Sequence, residues 1–195
     1  MALARAMVRE PAVYLMDEPL SNLDAQLRLI AREQIVELHR RLGTTTVYVT
    51  HDQAEAMTMA DRVAVLAEGR LQQLGPPQQV YDEPANRFVA GFLGSPPMNL
   101  VAGGGVLGGQ PGTTLGVRPE DLHLAEDGPI RATVAVVEAL GSETVLAVDA
   151  HDGTRLSVRT GPRTPVRAGD AIGLRADPAR THVFDDATGQ RVGAG

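Results

Sequence analysis

Apolar residues follow different rhythms along the first half of the chain. Ala12 to Met16 (AVYLM) is a continuous apolar run between Pro11 and Asp17, the pattern of a strand buried on both faces. From Asp24 to Leu42, apolar residues recur at Leu27, Ala31, Ile35, Leu38 and Leu42, with Arg28, Arg32, Arg40 and Arg41 elsewhere. This spacing predicts one amphipathic helix, closed by Gly43. Thr46 to Thr50 (TVYVT) predicts a second buried strand. Asp52, with Glu55 three residues on, makes a capping-box-like start for a helix over Gln53 to Ala60, whose Met57 and Met59 are expected in the core. Ala2 to Glu10 is helical in composition and stops before Pro11. Arg62 to Ala67 and Arg70 to Leu74 predict two strands joined by a turn at Glu68 and Gly69. Strands alternating with helices predict a parallel α/β sheet.

The second half changes character. Val117, Ala132 to Glu138, Thr144 to Val148, Arg155 to Val158 and Ala171 to Leu174 are short β-rich runs, broken by Gly, Pro or Asp about every ten residues. They predict a small antiparallel barrel or sandwich. Arg118, Pro119 and Glu120 are expected to form a strand-end turn. Asp185 and Asp186, before Thr188 and Gly189, are expected to form a solvated hairpin turn. Between the halves, GFLGSPPMNL (91–100) has the composition of a linker and GGGVLGGQPG (103–112) that of a loop. A domain boundary is expected between residues 97 and 98.

Composition narrows the possible functions. Of 195 residues 43% are hydrophobic and 22% charged, which is enough apolar material for a core. All 18 basic residues are arginine, and with 24 acids they leave a net charge of −6 that is spread evenly, so no basic stripe exists for a nucleic acid. The lack of lysine excludes a GxxxxGK[ST] phosphate loop. Zero cysteines exclude disulfides and thiol chemistry. No apolar run approaches the roughly 20 residues that span a bilayer, and the first residues, broken up by Arg5, Arg9 and Glu10, do not pattern as a signal peptide.

The residues that carry chemistry stand at strand ends. In an open α/β sheet, ligands bind beyond the carboxyl ends of the strands, where Asp17 and Glu18 follow the first apolar run and His51 follows the second. One acid of such a pair can hold Mg²⁺ while the other orients or deprotonates an attacking water. The imidazole can donate a hydrogen bond to a phosphate oxygen. Taken singly, an acidic pair after a strand is more often a helix cap or a solvated turn, and a lone histidine is more often bonded to a local carbonyl.

Together these segments are recognisable. VYLMDEPLSNLDAQLR (13–28) resembles the Walker B strand, catalytic glutamate and D-loop of ATP-binding-cassette (ABC) ATPases, and VYVTHDQAEAM (47–57) resembles their switch-histidine segment. ALARAMVREP (2–11) is similar to the helix after the family's LSGGQ signature. Residues 61–100 are similar to the end of the cassette and its link to an accessory domain. GVRPEDLHL (116–124) and HVFDDATGQRV (182–192) resemble the OB-like TOBE domain of maltose-type sugar importer ATPases. The resemblance implies a partial P-loop-type α/β nucleotide-binding domain over 1–97 and an OB-like TOBE domain over 98–195. It implies ATP and Mg²⁺ as ligands, with Asp17 as the Mg²⁺ acid, Glu18 as the water-activating base, His51 as the γ-phosphate switch and Ser21, Asn22, Leu23 and Asp24 as the D-loop. It also implies membrane-subunit partners, a homodimer or paired ATPase subunit, and a peripheral cytoplasmic position without membrane insertion. LSNLD and GSPPMNL favour the carbohydrate class of importer.

Two of the family's motifs are missing from these 195 residues: the Walker A loop and the LSGGQ signature. The polypeptide by itself is therefore expected not to hydrolyse ATP. Met1 stands where the family has an internal hydrophobic residue, so the gene is expected to begin upstream or to be truncated. Without a neighbouring Walker A strand the α/β half is expected to expose apolar surface and fold poorly alone. An inert regulatory or dimerisation module, and an unrelated metal-dependent hydrolase, are the alternative readings.

Overall fold

The computed structural model describes residues 11–194; the expected helix over Ala2 to Glu10 lies outside them. The chain divides into two compact units, one running through Val63 and taking in Gly75–Gln78, the other formed by Ala64–Leu74 and the residues from Gln79 onward.

In the first unit, β1 (Val13–Asp17) pairs in parallel with β2 (Thr45–Val49), placing Asp17 opposite Val49. Between them runs α1 (Ala25–Leu42), capped at its start by Asp24, whose carboxylate accepts from the N–H groups of Gln26 and Leu27 at 3.0 Å. At its end Gly43 adopts the left-handed conformation, φ +62°, that lets its N–H return to the carbonyl of His39. After β2 comes α2 (Gln53–Met59).

Burial departs from expectation at three places in this unit. Neither strand is buried on both faces: Tyr14 is buried, but Val13, Leu15, Val47 and Val49 are exposed, Leu15 by 79%. A sheet of two strands has one layer of side chains packed beneath it, and among the described residues nothing covers the other face. The apolar stripe of α1 is likewise half used. Ile35 is buried, Ala31 and Leu38 are half-buried, and Leu27 and Leu42 are exposed. Met57 and Met59 are half-buried rather than core.

A hairpin follows, β3 (Val63–Ala67) and β4 (Arg70–Gly75). Its turn residues Glu68 and Gly69 both take positive φ, +49° and +73°, as the tight turn that matches strand twist requires. Two short helices, α3 (Pro77–Asp82) and α4 (Arg87–Phe92), precede the β-rich region. Gly91 and Phe92, expected in a linker, close α4, and Asn99 opens β5 (Asn99–Ala102). Only residues 93–98 of that stretch are irregular. Gln72 and Gln73 of the hairpin bond to Asn86, Ala85 and Glu83 at 2.8–3.0 Å.

The β-rich region contains two antiparallel sheets. A five-stranded sheet is ordered β10 (Arg155–Thr160), β9 (Thr144–Ala150), β8 (Ile130–Ala139), β11 (Ala171–Ala176), β7 (Leu122–Leu124). Its outer strands β10 and β7 lie near one another, so the sheet curls almost to a barrel. A bulge between Val134 and Val136 of β8 supplies curvature. The second sheet is ordered β13 (Arg191–Ala194), β12 (His182–Asp185), β6 (Thr113–Val117), β5. The two share one apolar core that includes Val101, Val117, Leu122, Val134, Leu146, Val148, Leu156 and Leu174. Asn99 joins them: its amide donates to the carbonyls of Val117 (3.2 Å) and Ser157 (2.9 Å), and its oxygen accepts from Ser157 N–H at 2.7 Å. Gly116 is needed for packing, because a β-carbon there would lie 2.5 Å from the Met98 sulfur and 2.8 Å from the Phe184 ring.

Candidate functional site

The parallel pairing of β1 and β2 brings together two of the expected site residues. Beyond the last paired positions the N–H of Glu18 still donates to the carbonyl of Val49 at 2.9 Å. His51, two residues past Val49, therefore comes alongside Glu18, and its Nδ1 lies 3.1 Å from Glu18 Oε1. Both side chains are open to solvent, by 71% for His51 and 44% for Glu18. Glu18 itself has φ +42°, a left-handed conformation that costs a non-glycine residue on the order of 1–2 kcal/mol and is commonest where function demands it. Asp17 is exposed at the end of β1, and among the described residues its carboxylate enters no hydrogen bond or ion pair.

Of the four positions expected to form the D-loop, Ser21, Leu23 and Asp24 make local backbone contacts. The N–H and hydroxyl of Ser21 both donate to the Glu18 carbonyl, at 3.2 and 2.9 Å, closing a turn directly after the acid. Asn22 is exposed. Leu23 N–H donates to Leu20, and Asp24 caps α1.

On the β2 side the capping box is half realised. Asp52 accepts from the N–H groups of Ala54 (2.8 Å) and Glu55 (3.3 Å). Glu55 does not reach back to the cap. It is buried, 3% exposed, and its Oε2 accepts from the hydroxyls of Tyr48 (2.9 Å) and Thr50 (2.7 Å), while Thr50 accepts from Asp52 N–H at 2.9 Å. Burial, then the bond to Glu55, pushes the Tyr48 phenol well above its ordinary value. Partial burial would raise the Asp52 carboxyl, but the N–H groups of Glu55 and Ala54, with Arg32 and Arg28, hold it below the usual range.

A second polar cluster is built around Arg118, Tyr81 and Glu120. The expected strand-end turn forms, with Pro119–Asp121 in one 3₁₀ turn after β6 and Asp121 N–H donating to the Arg118 carbonyl at 3.0 Å, but the Arg118 side chain is buried, 3% exposed. Its guanidinium lies 3.8 Å over the centre of the Tyr81 ring and donates to the carbonyls of Ala90, Leu93 and Tyr81. The Tyr81 hydroxyl donates to Glu120 at 2.6 Å, and burial with this bond pushes its pKa up to about 12. Arginine next to a Pro-Glu pair resembles a turn in sequence; its burial depends on carbonyls 25 to 37 residues away. Arg118 is a structural clamp on these carbonyls.

Comparison with known proteins decides the family. A family model described as the TOBE domain matches residues 115–184. An sn-glycerol-3-phosphate import ATP-binding protein of Cupriavidus pinatubonensis is 46% identical over 227 aligned positions, covering 99% of this chain and 61% of the relative. A xylose/arabinose import ATP-binding protein of Haloferax volcanii is 45% identical, covering 98% of this chain and 57% of the relative. The chain belongs to the ATP-binding proteins of ABC importers. An uncharacterised ABC transporter ATP-binding protein of Sinorhizobium fredii is similar to it as well, at 47% identity over 98% of this chain and 57% of the relative. The chain spans about three-fifths of the length of these ABC relatives. No helix among its described residues is long and apolar enough to cross a membrane.

Proposed function

We propose that the chain is the C-terminal portion of the ATP-hydrolysing subunit of a bacterial ABC importer for sugars or related polyols. Residues 1–97 are the cassette part and 98–195 the TOBE domain. The contact between Glu18 and His51 at the carboxyl ends of two parallel strands carries this reading, and the family membership supports it.

The residues fit the hydrolytic end of an MgATP site and not the rest of it. Asp17 offers one free carboxylate, the kind of oxygen donor Mg²⁺ takes in small number beside phosphate oxygens and waters. Among the described residues no group of three or more metal-binding side chains is gathered, so Asp17 would hold the ion jointly with a nucleotide; the ion would neutralise charge on the transferring phosphoryl group. Glu18 accepts a proton from, or orients, the attacking water. With Nδ1–H directed at the Glu18 carboxylate, His51 in its imidazolium form would present Nε2–H to a phosphate oxygen and so help fix the water between base and phosphorus. Residues 21–24 follow Glu18 in a tight turn, where they would meet a second ATPase subunit. The sequence has no lysine and so no GxxxxGK[ST] loop for the triphosphate.

The transporter's membrane subunits are the inferred partners, which places the chain on the cytoplasmic face of the membrane. The sugar reading is supported by the names of the xylose/arabinose import and sn-glycerol-3-phosphate import relatives together with the LSNLD and GSPPMNL segments. The purified 195-residue chain is expected to release no phosphate from MgATP above the buffer rate; Mg²⁺-dependent release that Glu18→Gln abolishes would contradict this. A second reading, an inert regulatory or dimerisation module, is favoured by the uncovered face of the β1–β2 sheet. A titration with fluorescent ATP separates it from the first once the missing two-fifths of a relative is supplied.

A further inference from the structure

We propose that Arg28 is a positioning residue that couples the loop after β1 to the loop after β2, holding Glu18 and His51 in register. The inference rests on the reading of those two residues as the hydrolytic pair. Arg28 stands in the first turn of α1, and its guanidinium forks. Nη2 donates to the carbonyl of Leu23 at 3.1 Å, within the turn that follows Glu18. Nη1 donates to Asp52 Oδ2 at 3.4 Å, directly after His51. Nε is buried without an acceptor, so the Nη contacts to the two loops are the ones that hold the group.

The far end of each contact is tied down. Asp52 uses its other oxygen to cap α2, takes Arg32 Nη2 at 4.0 Å, and is joined through Thr50 to the buried Glu55 and to Tyr48. His51 thus sits between two residues, Thr50 and Asp52, that are both held by this network. On the other side Leu23 N–H returns to Leu20, and Arg28 N–H returns to Asp24. Only a planar, two-pronged cation can serve a carbonyl and a carboxylate on separate loops at once; a lysine ammonium is a single point charge on a flexible stem. Displacing the loop after β1 through this fork moves the residue beside the imidazole.

Amide hydrogen exchange on the intact chain without nucleotide tests the coupling, because it reads the loops whether or not ATP binds. Asp52→Asn preserves the helix cap, since asparagine caps as well as aspartate, but removes the charge that Arg28 meets. It is expected to speed exchange at Ser21 and Leu23, on the opposite loop, about threefold, in line with a half-buried ion pair. By reciprocity Arg28→Met speeds exchange at Asp52 and Ala54 by a similar factor, and Arg28→Lys fails to restore Ser21 and Leu23. Unchanged exchange at residues 21 and 23 in Asp52→Asn overturns the proposal, as does full restoration by Arg28→Lys. Neither result alters whether Glu18 and His51 act on a nucleotide, which the phosphate-release measurement decides separately.

Discussion

Glu18 and His51 meet at 3.1 Å because β1 and β2 pair in parallel with Asp17 opposite Val49. Thirty-three positions separate them in the chain, and one register brings them together. A shift of that register by one residue would turn the side chains after both strands to opposite faces.

The left-handed conformation of Glu18 should be a source of strain kept for its position. Glu18→Gly is expected to stabilise residues 11–63 by about 1 kcal/mol in urea unfolding, although it deletes the contact with His51, because glycine adopts positive φ without penalty. Glu18→Ala, which keeps a β-carbon, should give no such gain. Equal effects of the two substitutions would show that the backbone is not strained.

Arg118 should be among the most sensitive positions in the β-rich unit. Arg118→Met leaves three carbonyls, those of Tyr81, Ala90 and Leu93, without their charged donor and is expected to cost about 3 kcal/mol in thermal unfolding. Arg118→Lys should recover less than half, since an ammonium cannot span all three and stack on Tyr81. A loss below about 1 kcal/mol for Arg118→Met would mean that the clamp is dispensable.

Histidine 182 gives the β-rich unit a dependence on pH. Burial first, then the nearby Arg191 and Arg118, hold its pKa below the ordinary value. When pH falls below about 6.5 the unfolded chain binds a proton there that the folded chain still refuses, so stability declines as acid is added through this range and is fully present above it. His182→Gln should flatten the unfolding free energy between about pH 7 and pH 5 relative to the unaltered protein. A steeper decline in the variant would contradict the assignment.

The uncovered sheet face predicts how the isolated chain behaves in solution. Val13, Leu15, Val47 and Val49 project from one side of two strands, an apolar patch of the kind that drives association. Leu15→Thr is expected to reduce self-association in sedimentation and the binding of an apolar fluorescent dye, with a change in unfolding free energy of less than about 0.5 kcal/mol. Marked destabilisation instead would place Leu15 in a packed environment.

Much of this was legible from local signals. The Glu68-Gly69 turn, the close of α1 at Gly43, and the strand–acid and strand–histidine junctions are decided by residues within a few positions of one another. What escaped depends on distant partners. The apolar composition of AVYLM correctly signals side chains suited to burial on two faces, yet composition does not say whether a covering layer is present. Glu55 fits a capping box by spacing, but Tyr48 and Thr50 offer it two hydroxyls in a buried setting, where satisfying a carboxylate matters more than closing the box. Arg118 does stand at a turn, as its neighbours suggest, but nothing adjacent to it in sequence hints at Tyr81 lying across its guanidinium.

The central claim, that Glu18 and His51 form the hydrolytic end of an ATP site, is tested most directly by a chimera. The part of the Cupriavidus pinatubonensis relative that lies outside the alignment is joined to this chain, and Mg²⁺-dependent phosphate release is measured with and without Glu18→Gln and His51→Ala. The chimera should hydrolyse ATP, and each substitution should lower the turnover rate by at least about 100-fold. A chimera that hydrolyses ATP at the same rate with either residue replaced would contradict the account.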